Sequence, residues 1–196
     1  MLKKFLVLLL CVVTTVVFAI QSPVKLLNNI SDELVVSLNK GQEKKDVKTL
    51  SKIVEKVLLP HVDKSKMAQA VIGRQHWIKS SVDQRSKFIR LFTLNIIKTY
   101  AGAIENYHKN KIVFYPISKD QIKQKIINVK SAVESEDSPR VNLVYVLLKT
   151  NNNWKIIDFS IDGVSLVNSY RAQFRSILLE GGLKLLNKQL DAKLSS

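Results

Sequence analysis

Three histidines, His61, His76 and His108, and a single cysteine, Cys11, are the side chains best suited to metal or nucleophilic chemistry. No two histidines stand at a metal-ligand spacing, no HExxH pair is present, and the lone thiol has no second cysteine with which to share a zinc ion. Gly163-Val164-Ser165-Leu166-Val167 supplies the first half of a nucleophile elbow and lacks its second glycine. Ser165 reads instead as a helix-start residue. No glycine-rich loop is present to cradle a phosphate. Glu134, Glu136 and Asp137 sit together in a turn, where solvation explains them, and no other carboxylate pair offers itself for acid–base work. The chain is therefore expected to be no enzyme and to hold neither a metal nor a cofactor.

What remains is apolar surface and positive charge. Lys3 and Lys4 precede an apolar run over residues 5–17, and Val17-Phe18-Ala19 places modest residues at the −3 and −1 positions of a cleavage site. That is the layout of a secretory signal peptide over residues 1–19, with an apolar run too short to span a bilayer comfortably. An uncleaved N-terminal anchor is the alternative. Cys11 follows Leu10, where lipoprotein processing would want a small residue. The mature chain would then be exported, free of cysteine, and stable on the core of one domain over residues 20–196. The formal net charge is +15. Its lysines are scattered and lack the aromatic-and-basic signature of an RNA-binding sheet, which argues against nucleic acid. Transient contact with an anionic membrane surface or an acidic partner fits better. Plain solvation of a lysine-rich surface fits as well.

Two periodicities divide the rest of the chain. Residues 20–109 read as mainly helical and residues 110–196 as sheet plus C-terminal helices. Ser22-Pro23 opens a first helix carrying Leu27, Ile30, Leu34 and Leu38 at helical spacing. A charged loop with Gly41 leads to Val47, Leu50, Val54, Val57 and Leu58, which Pro60 ends. Asp63 caps a third helix with Met67 and Val71, closed by Gly73. Ser81 and Gln84 have the spacing of a capping box, so the longest helix begins there. Phe88, Phe92, Ile96, Tyr100, Ala103 and Tyr107 share one of its faces, and Leu91, Leu94, Ile97, Ala101 and Ile104 share much of another. Core packing and a cavity wall account equally for a helix so widely apolar. Strands follow over residues 112–115, 127–133, 141–148 and 154–161, joined by short turns that imply antiparallel pairing. Asp162 and Gly163 open a last helical region that breaks at Gly181-Gly182. The fold class is thus α+β, with about four strands and helices that return across them.

One stretch is distinctive: residues 154–174, WKIIDFSIDGVSLVNSYRAQF. It resembles the signature of the MlaC family of phospholipid-binding, or toluene-tolerance, proteins. Pro60, Asp63, Met67, Ala68, Gly73, Trp77, Gln84, Phe88, Phe92, Tyr100 and Tyr107 match at the family's intervals, whereas residues 111–140 agree in strand character only. The resemblance implies helices packed on a curved antiparallel sheet, similar to nuclear transport factor 2, enclosing an apolar cavity. It also implies a periplasmic carrier with a phospholipid as cargo. The implied partners are an outer-membrane lipoprotein–porin complex and an inner-membrane ABC transporter with an MCE-domain subunit, in the upkeep of outer-membrane lipid asymmetry.

The physical problem such a carrier solves is large. At about 0.8 kcal/mol per methylene, a lipid with ~28 methylenes would lose more than ~20 kcal/mol in leaving a membrane for water. A dry cavity must nearly match the bilayer interior, with the headgroup left near solvent because burying an unpaired phosphate is costly. Phe88, Phe92, Ile96, Tyr100 and Tyr107 are expected to form one wall and Val144, Val146, Leu148, Ile157, Phe159 and Ile161 the sheet side, with Val167, Tyr170 and Phe174 beneath the returning helix. Plain core packing is the competing role for most of them and for Trp154. Asp158 and Arg171 are expected to pair between the last strand and the last helix. Two rival readings of the whole chain are an interaction or scaffold protein with a filled core and no lipid cargo, and a secreted hydrolase, for which no catalytic set can be assembled.

Overall fold

The computed structural model describes residues 22–40, 45–106, 110–134, 139–151 and 153–195. The expected signal peptide with Cys11, the loop around Gly41, Tyr107, His108, and the acidic turn at Glu136 and Asp137 lie outside the described residues.

The helical part is built by the signals in the sequence, with local departures. Helix α1 (Pro23–Asn39) starts with proline at its first position, although the Ser22 side chain makes no cap bond. The Asp46 carboxylate accepts from the Thr49 amide at 2.7 Å and caps α2 (Val47–Val57). Pro60 then lies in a single 3-10 turn over Leu59–His61. Val62 pairs in parallel with Ile156, and the Asp63 amide donates to the Ile156 carbonyl at 2.9 Å. This stitches the helical part to the sheet before α3 (Lys64–Lys79) begins. Asp63 also caps α3, accepting from the Lys66 amide at 2.9 Å. Gly73 bends α3 rather than ending it, at φ 79° and ψ 157°, a conformation open to essentially no residue but glycine. The capping box at Ser81 and Gln84 forms in both directions, at 3.0 and 3.2 Å, and α4 (Val82–Asn106) follows.

Among the described residues five antiparallel strands lie in sequence order: β1 (Lys111–Phe114), β2 (Ile126–Glu134), β3 (Val141–Lys149), β4 (Trp154–Ile161) and β5 (Val164–Ser165). A short helix, α5 (Lys119–Lys123), joins the first two and opens on a complete capping box at Ser118 and Gln121. The fifth strand corrects the expectation at Asp162-Gly163. Instead of opening a helix, the pair turns the chain back on itself, both residues at positive φ as a tight hairpin requires. Helix α6 (Leu166–Ser195) follows and breaks where expected, with non-helical backbone at Gly181 and Gly182. Its second half returns along the start of α4, where Asn187 donates to the Gln84 carbonyl at 2.9 Å and Lys87 pairs with Asp191 at 2.7 Å.

One buried cluster unites these layers. Leu27 and Leu38 of α1, Leu50 of α2, Val71 of α3, Phe88 and Leu91 of α4 and Leu186 of α6 meet Ile127, Val129, Leu147, Trp154 and Ile156 of the sheet. The sheet thus has one face to the helices, as the α+β reading requires.

Candidate functional site

The first half of α4 is solid core. Phe88 and Phe92 stack with ring centroids 5.4 Å apart, and Phe92 meets Tyr170 edge-on at 5.0 Å. Phe174 meets both phenylalanines at 6.2 Å and Tyr170 at 5.4 Å. All four rings are at most 6% exposed, and Val167 is buried beside them. The Tyr170 hydroxyl accepts from the Asn95 amide at 3.1 Å and donates to Thr99 at 3.4 Å. Burial raises its pKa, so the phenol stays neutral.

The second half of α4 differs. Ile96, Tyr100, Ala101 and Ile104 pack against the core yet keep part of their surface in water. The same half-burial marks one region of the sheet. Register fixes which side chains share its helix-facing side: Val129 aligns with Tyr145 and Phe159, and Ser131 aligns with Phe114, Leu143 and Ile161. The Tyr145 ring lies 5.8 Å from Phe114 and 5.0 Å from Phe159. Phe114, Tyr145, Phe159 and Ile161 are all half-buried.

The register corrects the expected wall. Val144, Val146 and Leu148 alternate with Tyr145 and Leu147, so they point to the opposite side of the sheet from Phe159 and Ile161. A bulge between Val146 and Leu147 aligns Val146 with Asp158 and Leu147 with Ile156, leaving Ile157 as the extra residue. Ile157 lines a surface groove with Leu148 and Ile126 instead of following Phe159 inward. Phe114 and Tyr145 are the side chains that sequence reasoning missed. In β3 nearly every position is apolar, so alternation alone cannot say which set faces in; only pairing with β2, where buried Ile127 and Val129 alternate with exposed Asn128 and Lys130, decides it.

Asp158 and Arg171 take separate partners, which corrects the expected ion pair. The Asp158 carboxylate accepts from the Ser165 hydroxyl at 2.6 Å, the Phe159 amide at 2.7 Å and the Val167 amide at 3.1 Å. Its oxygens are thus occupied in fixing the turn into α6, while Ser165 accepts from the Asn168 amide at 3.1 Å as the helix cap. Arg171 reaches across to α3, where its Nε donates to the Ala70 carbonyl at 2.9 Å and a second guanidinium nitrogen donates to the same oxygen. No group of three or more metal-ligating side chains forms among the described residues.

A protein-family model described as MlaC protein matches residues 28–192. The chain belongs to the MlaC family. It is similar to the intermembrane phospholipid transport system binding protein MlaC of Haemophilus influenzae, 28% identical over 179 residues, covering 89% of this chain and 83% of that protein. It is also similar to the toluene tolerance protein ttg2D of Pseudomonas putida, 22% identical over 192 residues, covering 97% of this chain and 88% of the other. The fold matches that of a phospholipid-binding protein from Ralstonia solanacearum solved in complex with a phospholipid, with a TM-score of 0.82 and 23% identity over 90% of this chain and all of that one. Membership in the MlaC family places the chain among binding and transport proteins, not enzymes.

Proposed function

We propose that this protein carries a phospholipid across the periplasm, with its acyl chains along the half-buried apolar side chains between the second half of α4 and the sheet. One observation supports this reading above others. Ile96, Tyr100, Ile104, Phe114 and Tyr145 pack against the core yet stay partly wet, as does Phe159 beside Tyr145, while Phe88, Phe92 and Phe174 are sealed. Apolar surface held inward but left uncovered is where hydrocarbon gains most by binding. Relatives named for phospholipid binding and transport supply the class of cargo.

Residues 1–19 serve as the export signal in this reading, and no helix among the described residues is long and apolar enough to cross a membrane. The carrier moves its lipid between an outer-membrane lipoprotein–porin complex and an inner-membrane ABC transporter with an MCE-domain subunit, which would preserve outer-membrane lipid asymmetry. Loading and unloading are both feasible if the cleft roughly matches the bilayer interior, so that neither direction faces a large barrier.

Native mass spectrometry of protein purified without detergent tests this. The expected result is an added mass that releases intact phospholipid. A lipid-free protein that also takes up none from added vesicles would favour the scaffold reading.

A further inference from the structure

Five of the chain's lysines gather at one place. Lys64, Lys66, Lys125, Lys149 and Lys155 line two adjoining depressions that share Thr150, one of about 380 Å³ and the other of about 760 Å³. The lysines come from the start of α3, the residue before β2, the end of β3 and the start of β4. The two ion pairs among the described residues, Lys87–Asp191 and Lys123–Asp120, involve none of them. Among the described residues Asp63 is the one acid lining either depression, and its carboxylate caps α3. Lys155 donates to the Pro60 carbonyl at 2.5 Å, and the Lys149 ammonium lies 5.6 Å from the Trp154 ring centroid, so these two are held in place. Lys64, Lys66 and Lys125 stand exposed. The larger groove is floored by Leu148 and Ile157, with Ile126 at its rim 50% exposed.

We infer that this groove docks the protein on the headgroup layer of an anionic bilayer. The residue types select a membrane over an acidic protein. Protein interfaces favour arginine, tyrosine and tryptophan and are depleted in lysine, whereas clustered lysine is what an anionic lipid surface attracts. The exposed Ile126 supplies the apolar contact that such docking adds to charge. Leu148 lies on the side of the sheet opposite Tyr145 and Phe159, so docking leaves the cargo-facing side unobstructed. The inference does not rest on the cargo reading, because an empty protein would dock in the same way.

Vesicle co-flotation tests it, comparing phosphatidylcholine vesicles with and without phosphatidylglycerol. The wild-type chain should float only with the anionic vesicles and be released as salt rises from about 0.05 M to about 0.5 M. K64E/K66E/K125E should weaken binding about 100-fold, whereas R175E/K184E/K188E, an equal charge change on exposed positions of α6, should weaken it only about threefold. Should the reversals fail to fold, K64Q/K66Q/K125Q should still lose about tenfold. Equal losses in the two triple variants would overturn the site in favour of diffuse charge. A wild-type chain that ignores anionic vesicles, whether or not it binds soluble polyglutamate, would overturn the membrane as its partner.

Discussion

Single side chains divide into sealed and half-wet, and the two kinds should fail differently. Phe92 sits among Phe88, Tyr170 and Phe174 with almost no exposure. Truncating it to alanine should cost about 3–5 kcal/mol of unfolding free energy in urea titration, because the ring's contacts leave a cavity. Ile104→Trp adds bulk where the surface is half wet, so it should change stability by less than about 1 kcal/mol while reducing co-purified lipid. A stable variant with full lipid content would exclude Ile104 from the cargo site. His61 carries a pH dependence. Burial lowers its pKa from the ordinary 6.5, with Lys155 adding to the effect and Glu33 opposing it. The unfolded chain therefore takes up this proton first as pH falls. Stability should drop as pH passes below about 6.5 and level off once the folded protein is also protonated. Denaturation curves at several pH values should show a smaller drop in His61→Gln; an unchanged drop would assign it to other groups.

At the scale of elements, backbone corners hold the layers together. Gly73 adopts its positive φ with nothing within 4 Å of where a Cβ would stand. Gly73→Ala therefore meets backbone strain alone and should lower stability by about 1–3 kcal/mol, read from the shift in denaturation midpoint. That bend follows Ala70, whose carbonyl receives Arg171, so strain there bears on the α3–α6 contact as well. Much of this architecture was legible in residue types: the cap at Asp63, the box at Ser81 and Gln84, and the break at Gly181-Gly182 all stand where their chemistry predicts. Three features were not read. Ser118 and Gln121 repeat the box spacing that marked α4, yet α5 is too short for its apolar pattern to announce it. Asp162-Gly163 is a hairpin signal, but a two-residue strand followed at once by a helix looks like helix from the start. The bulge that displaces Ile157 depends on which residues of β3 and β4 align, and that is a property of the pair rather than of either strand. For the same reason Val144, Val146, Leu148 and Ile157 are expected on the wrong side of the sheet, whereas Phe159 and Ile161 share the side of Tyr145 and Leu143.

For the molecule as a whole, burial fades along α4. Phe88, Leu91 and Phe92 are shut away, whereas Tyr100, Ala101 and Ile104 stay partly wetted. Such a gradient makes a poor ruler. If the acyl tails lie there as proposed, each extra methylene that reaches the wetted stretch covers more greasy surface and adds up to about 0.8 kcal/mol. Occupancy should accordingly lean toward the longer fatty acids on offer. The lipids released in mass spectrometry, set against the composition of the membrane they came from, should show that skew; a sharp upper length limit would overturn the graded site.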